Sequence, residues 1–322
     1  MQKIIFKLPY QEEFFTLETS PLSSEIQFHS FDNSQEIQLK GNIVSISAAE
    51  IKNLPLLQTD KFSCYNGNTI SKEEYLQQLS KTIEAIHQYQ LPKLVLSRQK
   101  WLAENQLHLG ETFLRLAQDY ANAFVYLMIS DQTAWIGATP EILGKYNTES
   151  ETFTTMSLAG TLPLNEEWTH KEIEEQKPVS QYISSILKKY NDVQVSDIYD
   201  HISGNIKHLR NDFTTHITLQ ELATVIADLH PTPAVCGVPK ELCQKLIQQI
   251  EQHDRKYYSG YIRLAMGSDI YYFVNLRCAE IFSNGILLYA GGGITAESNP
   301  EKEWTETELK SYAIRSRLCL LS

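Results

Sequence analysis

The sequence predicts an α+β protein in which helices pack on a large, mostly antiparallel sheet. Three observations lead to this fold class. Apolar residues make up 42% and charged residues 21% of the 322 residues, as in globular proteins with an ample core. Several β-rich runs are joined by tight turns, whereas strand–helix–strand units are few. Helical segments begin with capping residues and carry an apolar stripe at helical spacing.

Composition also excludes several classes of function. The net charge of −11 disfavours nucleic acid and anionic membranes as partners. No apolar run approaches a membrane span, and the first residues show no secretory cleavage site. The five cysteines form no CxxC pair and the nine histidines no HxxxH pair, so we expect free thiols in a reducing cytoplasm and no zinc site. Without repeats or linkers, the chain is expected to form one domain over residues 1–322.

In the first third of the chain, the sequence predicts strands, a helix and a further strand. Residues 1–65 contain short apolar runs between polar clusters, which predict a few strands with no chemistry attached. Ser71 and Glu74 form a capping box, and an apolar stripe predicts a helix that ends before Pro92. The strand that follows begins with Lys93, and by pattern alone a lysine at that place is most often an exposed edge residue.

A helix and three strands are predicted next. The helix covers residues 111–123, and the strands cover 124–129 and 133–137 as a hairpin-like pair and 156–161 as a run ending at a glycine turn. Glu141 follows the pair inside apolar sequence. It is either a surface carboxylate, which the pattern favours, or a partly buried acid with a raised pKa.

Three more helices are predicted in the second half. The first begins near Trp168 and is expected to kink at Pro178, which removes a helical hydrogen bond. The second is capped by Thr218, and the third opens at Pro239. Between these two, closely spaced prolines make residues 230–233 a rigid extended loop that fixes an imidazole and a threonine hydroxyl.

The stretch from 271 to 294 predicts a hairpin with an anion site. Asn284-Gly285 between two apolar runs is a strong turn signal. Pairing Ser283 with Ile286 would place Arg277 opposite the middle of the Gly291-Gly292-Gly293 run. A guanidinium beside backbone N–H groups without Cβ atoms is suited to a carboxylate. The alternative is a solvated strand arginine followed by a flexible loop.

The last helix carries carboxylates toward that site. Asn299 can cap it and Pro300 suits its first turn. Glu303, Glu306 and Lys310 recur on one helical face. Such a face is usually only solvated, but its closeness to the glycine run suggests a carboxylate-held cation near a bound anion.

Nine motifs together resemble the chorismate-utilising enzymes, and among them most of all the isochorismate synthases. They occur in the family's order over residues 70–320 and are more specific than any single signature: LVLSR after a lysine, GATPEIL, MSLAGT, KEIEEQ, LHPTPAVCGVPKE, YYSG, NLRCAEI, AGGGI and EWTETELK. The resemblance implies one large layered α/β domain with big, mostly antiparallel sheets.

The resemblance also implies a ligand set. Glu175 and Glu306 would hold Mg²⁺, whose shell a substrate carboxylate completes. The substrate, chorismate, would be held through its carboxylates and ring by residues from six motifs: Ala159, Gly160, Thr161, Thr232, Tyr258, Arg277, Gly291, Gly292, Gly293 and Lys310.

Three positions select the reaction within the family. Lys93 occupies the place of the general base, which must be deprotonated to activate water. Glu141 matches the general acid that protonates the departing ring hydroxyl. Ala159 stands where aminodeoxychorismate synthases carry a nucleophilic lysine, so a covalent intermediate is not expected. The implied activity is that of a cytoplasmic isomerase, isochorismate synthase, in menaquinone or siderophore biosynthesis.

The pattern leaves alternatives open. Gln176 replaces the usual histidine, and Pro178 interrupts the helix that carries Glu175. A salicylate synthase would also carry Lys93 and would go on to eliminate pyruvate. A catalytically silent binder of small anions would need neither an acid nor a base. An anthranilate-type subunit is disfavoured by Lys93, so no obligatory glutamine amidotransferase partner is expected, and the protein is expected to be a monomer or a weak oligomer.

Overall fold

A computed structural model describes residues 2–18, 20, 24–53, 62–104, 107–131, 133–203 and 206–320. Part of the N-terminal region 1–65, whose strands the sequence predicted, therefore lies outside the described residues. Within the described residues the chain forms 17 strands and 7 helices, and every strand pairing described is antiparallel. The predicted fold class is confirmed.

The strands form two sheets, and β4 pairs with both. Their bounds are β1 Lys3–Lys7, β2 Phe14–Glu18, β3 Ser24–His29, β4 Glu36–Ile46, β5 Lys93–Leu102, β6 Phe124–Ile129, β7 Ala134–Thr139, β8 Ile142–Asn147, β9 Thr152–Pro163, β10 Gln194–Val195, β11 Tyr199–Ser203, β12 Ile206–His216, β13 Gly237–Val238, β14 Tyr261–Met266, β15 Asp269–Val274, β16 Cys278–Phe282 and β17 Gly285–Ile294. The first sheet contains β1, β2, β5, β6, β7, β13, β16 and β17, and the second contains β3, β8, β9, β10, β11, β12, β14 and β15.

The helices pack on the sheets and bury four apolar clusters between them. Their bounds are α1 Ala48–Lys52, α2 Lys72–Tyr89, α3 Leu109–Asp119, α4 His170–Leu187, α5 Leu219–Leu229, α6 Lys240–Ile250 and α7 Pro300–Arg315. The capping boxes at Ser71 and Thr218 and the Asn299 cap are present as predicted. Helix α4 continues through Pro178 as one helix. No helix in the described ranges has the length and apolar character needed to cross a membrane.

The predicted hairpin register is wrong. Ile281 pairs with Ile286 and Phe282 with Gly285, so the turn consists of Ser283 and Asn284. The reason is a tertiary contact, because the Asn284 side chain accepts from the Tyr65 N–H at 2.8 Å and donates to the Tyr65 carbonyl at 3.0 Å. The turn is therefore held from outside and does not use the positive φ angles that Asn-Gly would supply.

The strand predicted before that turn is two strands in different sheets. β15 pairs with β8 and β14, whereas β16 pairs with β7 and β17. Between them Asn275 anchors the crossing, since its side chain accepts from Tyr126 Oη at 2.7 Å and donates to the Tyr257 carbonyl at 2.9 Å. Arg277 lies in this crossing and not opposite Gly292, which pairs with Leu96 of β5.

Candidate active site

A cavity of about 710 Å³, including its opening to solvent, lies beside the glycine run of β17. All but two of the residues that the sequence selected line it. They are Lys93, Glu141, Ala159, Gly160, Thr161, Glu175, Tyr258, Arg277, Gly291, Gly292, Gly293 and Lys310.

A buried ion pair between Lys93 and Glu175 forms one end of the cavity. Lys93 begins β5 and Glu175 lies on α4, and Lys93 Nζ stands 2.9 Å from Glu175 Oε1. The Lys93 side chain is 1% exposed, so its reading as an exposed edge residue is wrong. A Cβ on Gly293 would lie 2.2 Å from Glu175 Oε1 and 2.3 Å from Lys93 Cε, so this pair requires glycine there.

Glu141 is a buried acid with a strongly raised pKa. It follows β7 and Pro140, and its carbonyl accepts from the Val274 N–H at 3.0 Å. Only 4% of the residue is exposed, so the surface position that the pattern favoured is wrong. Burial raises the pKa of Glu141 to about 7, although the charges of Lys93 and Lys310 oppose the shift. Near neutral pH this carboxyl group can donate a proton.

Arg277 is held in the cavity by His208, a residue that the sequence did not reveal. The Arg277 backbone has a φ of 46°, a left-handed conformation that is uncommon for a side chain of this size. Arg277 Nη2 lies 3.0 Å from His208 Nε2, and His208 Nδ1 lies 3.0 Å from the Gly160 carbonyl. Since Arg277 can only donate, Nε2 accepts and Nδ1 carries the proton.

The pKa values of His208 and Arg277 agree with that tautomer. Burial and the Arg277 charge hold the pKa of His208 well below its ordinary value, so the imidazole is neutral. Burial lowers the pKa of Arg277 to about 10, which leaves the guanidinium charged at neutral pH. A buried guanidinium in the wall of the cavity is suited to an anionic ligand.

The backbone of the glycine run lies close to the side chains of Lys310 and Glu306. Lys310 Nζ donates to the Gly291 carbonyl at 2.9 Å and stands 2.7 Å from Glu306 Oε1. Glu306 does not line the cavity, but a Cβ on Gly292 would come within 3.4 Å of its Oε1 atom. Successive strand residues face opposite sides, so Glu306 lies behind the run.

Thr232 is the other selected residue that does not line the cavity. It is 3% exposed, and its hydroxyl has no hydrogen-bond partner within the described ranges. Its carbonyl accepts from the N–H groups of Val235 and Cys236. This turn presents Ala234 and Val235 to the cavity instead.

The donor set is compatible with Mg²⁺ bound jointly by protein and substrate. In the part of the chain that the structure describes, no three His, Cys, Asp or Glu side chains are grouped to hold a metal by themselves. Mg²⁺ is commonly held by one or two carboxylates, with water and substrate oxygens completing its shell. Glu175 supplies such a carboxylate from the cavity wall, and Glu306 would have to reach around the glycine run to supply a second.

His208 and several apolar residues were missed for a shared reason. His208 lies on β12, where the register shifts between Lys207 and Leu209, and the sequence of that strand shows no clear alternation. Leu276 and Tyr289, which also line the cavity, look like ordinary core residues in the sequence. His208 stands between Lys207 and Leu209, so in the sequence it looks like an ordinary polar residue of a strand.

Comparison with known proteins identifies relatives along nearly the whole chain. Residues 19–319 match the family model described as chorismate binding enzyme. The vibriobactin-specific isochorismate synthase of Vibrio cholerae is 31% identical over 268 residues, which cover 76% of this chain and 66% of that protein. The chain thus spans at most about two thirds of the length of the curated relatives it matches.

Solved structures show the same fold. The menaquinone-specific isochorismate synthase of Escherichia coli superposes with a TM-score of 0.82 at 20% identity, covering 99% of this chain and 89% of that one. Anthranilate synthase component I of Streptococcus pneumoniae superposes with a TM-score of 0.72 at 15% identity, covering 98% and 90%. Proteins named for different activities therefore share this fold, and the choice between activities depends on side chains.

Proposed function

The chain belongs to the chorismate-binding enzyme family, and we propose that it is an isochorismate synthase that converts chorismate to isochorismate with Mg²⁺. The observation that carries the proposal is the presence of a buried lysine, Lys93, and a buried acid, Glu141, in the wall of one cavity. A protein that only binds anions needs neither. Named relatives with isochorismate synthase activity support the same choice.

Substrate carboxylates would be held by the cationic and backbone donors. Arg277, oriented by His208, and Lys310 supply the charges, and the glycine run lets a carboxylate approach the strand backbone. Glu175 and Glu306 would hold Mg²⁺, which when bound would neutralise a substrate carboxylate.

The chemical step requires two proton transfers. Lys93, which is paired with Glu175 here, would have to leave that pair as the free amine to take a proton from the water whose oxygen forms a bond to one ring carbon. Glu141 gives its proton to the hydroxyl group that leaves another ring carbon as water, while the ring double bonds shift. One water enters and one leaves, so the product is an isomer of the substrate. Ala159 offers no nucleophile, and no covalent intermediate is needed.

The test is direct incubation of the purified protein with chorismate and Mg²⁺, followed by chromatographic separation of isochorismate, salicylate and pyruvate. Isochorismate as the product supports the proposal. Salicylate with an equal amount of pyruvate would instead assign a lyase activity, and unchanged chorismate would reject both. A Lys93→Ala protein serves as the control for background chemistry.

The free thiols support a reducing compartment. All five cysteines are free, and four of them are buried. Burial raises the pKa of Cys236 and of Cys243 to about 12, so these thiols are unreactive. We place the enzyme in a reducing cytoplasm on this basis.

A further inference from the structure

Strand β5 carries Lys93 into the cavity, but one of its edges has little strand to pair with. Its other edge pairs with β17 over nine consecutive positions, from Leu94 to Leu102. On the edge that faces away from β17, the described part of the chain offers only the two-residue strand β13, which pairs with Lys93 and Leu94. Further along, the Val95 N–H donates to the Cys236 carbonyl at 2.9 Å.

A buried ion pair supplies the remaining partners of that edge. The Ser97 N–H donates to Glu251 Oε1 at 2.7 Å, and Arg255 Nη2 donates to the Val95 carbonyl at 3.0 Å. Arg255 Nε and Nη2 also donate to the two carboxylate oxygens of Glu251, at 2.8 and 2.6 Å. Glu251 and Arg255 therefore occupy the place of a neighbouring strand and make the hydrogen bonds to the β5 backbone that such a strand would make.

The same guanidinium also holds a second wall of the cavity. Arg255 Nη1 donates to the Val235 carbonyl at 2.7 Å. Val235 lines the cavity, as do Lys93 and Val95. One planar group thus connects the strand that carries Lys93 to the loop that faces it.

The pair is buried and ionised. Each side chain is 2% exposed. Burial alone would raise the pKa of Glu251, but the charge and hydrogen bonds of Arg255 lower it below its ordinary value. A lysine could not replace the arginine, because a single ammonium cannot reproduce a planar fork of donors aimed at two carbonyls and a carboxylate.

We propose that Glu251 and Arg255 are positioning residues that fix the Lys93 strand against the Val235 loop and so set where Lys93 stands relative to the reacting ring. This inference rests on the proposed function of Lys93 as the base. The charged groups proposed to bind the substrate, Arg277 and Lys310, lie on neither the Lys93 strand nor the Val235 loop. The pair should therefore govern the chemical step and leave substrate binding nearly unchanged.

The experiment compares Arg255→Lys and Glu251→Gln with two controls. Arg317→Lys makes the same change in an exposed pair with Asp119. Ile26→Ala removes core packing on β3 and serves as the control for a general loss of stability. For each protein we would measure Tm, and kcat and KM for chorismate. Hydrogen exchange of the peptide that contains residues 95–97 would also be measured.

We expect Arg255→Lys to lower kcat about tenfold or more while KM stays within about threefold. Exchange of the 95–97 peptide should accelerate, and Ile26→Ala should show neither effect at the same Tm. Glu251→Gln keeps an oxygen for the Ser97 amide, so it should fold even if Arg255→Lys does not, with a smaller loss of kcat.

Two results would overturn the inference. The first is a folded Arg255→Lys protein with the kcat of the wild type. The second is a fall in kcat that the Ile26→Ala control reproduces at equal Tm. Failure of the wild type to convert chorismate would reject the proposed function instead, and the exchange of residues 95–97 would still report whether the pair holds the strand.

Discussion

Glu141 should make the stability of this protein fall as the pH rises. Its pKa is about 7 in the folded state against 4.5 for an ordinary glutamic acid. Between these values the folded protein holds a proton that the unfolded chain has lost. The stabilisation is complete below pH 4.5 and is lost as the pH rises through 7.

The magnitude follows from the two pKa values. For a single group with these pKa values, the free energy of unfolding decreases by about 2.5 kcal/mol between pH 5 and pH 8. Glu141→Gln keeps the shape of the protonated acid but cannot ionise, so its protein lacks this contribution. Titrating groups that do not interact with Glu141 contribute equally in both proteins and cancel in the comparison.

Urea unfolding of the wild type and of Glu141→Gln at pH 5 and pH 8 measures the effect. The free energy of unfolding of the variant minus that of the wild type should be about 2.5 kcal/mol larger at pH 8 than at pH 5. It should also be inactive, whereas wild-type turnover should decline above pH 7 as the acid loses its proton. Equal pH dependence in the two proteins would show that Glu141 is not a buried acid.

Four other substitutions test the remaining parts of the site. Glu306→Gln should abolish turnover without changing Tm, and full activity of this variant or of the wild type in EDTA would remove Glu306 from the metal site. Lys93→Ala should lose isochorismate formation yet still bind chorismate in calorimetry, and retained product would require another base. Arg277→Lys should raise KM more than about tenfold, since loss of a charge-assisted hydrogen bond costs roughly 1.5–3 kcal/mol; a wild-type KM would refute the carboxylate contact. Gly293→Ala should abolish activity, because its Cβ would come 2.2 Å from Glu175 Oε1, and an active variant would show that the pair with Lys93 can move.

Features that depend on neighbours in sequence were predicted well. The capping boxes at Ser71 and Thr218 and the Asn299 cap need only residues within one helical turn, and the sequence states them directly. The antiparallel character of the sheet followed from tight turns. The family motifs selected most residues of the cavity wall.

Features that depend on distant residues were not predictable from local pattern. The burial of Lys93 depends on Glu175, 82 positions away. The hairpin register depends on Tyr65, 219 positions from Asn284. Arg277 and the glycine run line the same cavity, although the register from which their closeness was predicted is wrong. His208 had no signal because its role exists only once Arg277 faces it.

Because Arg277 lies in the crossing at Asn275, the site forms only when both sheets have folded. Asn275 is bonded to Tyr126, 149 positions earlier, and Arg277 sits between a strand of one sheet and a strand of the other. A partly folded chain with only one sheet formed has no such arginine in place. A ligand that binds here recognises only the state in which both sheets are complete, and it stabilises them together, by about 2.7 kcal/mol at a hundred times its Kd.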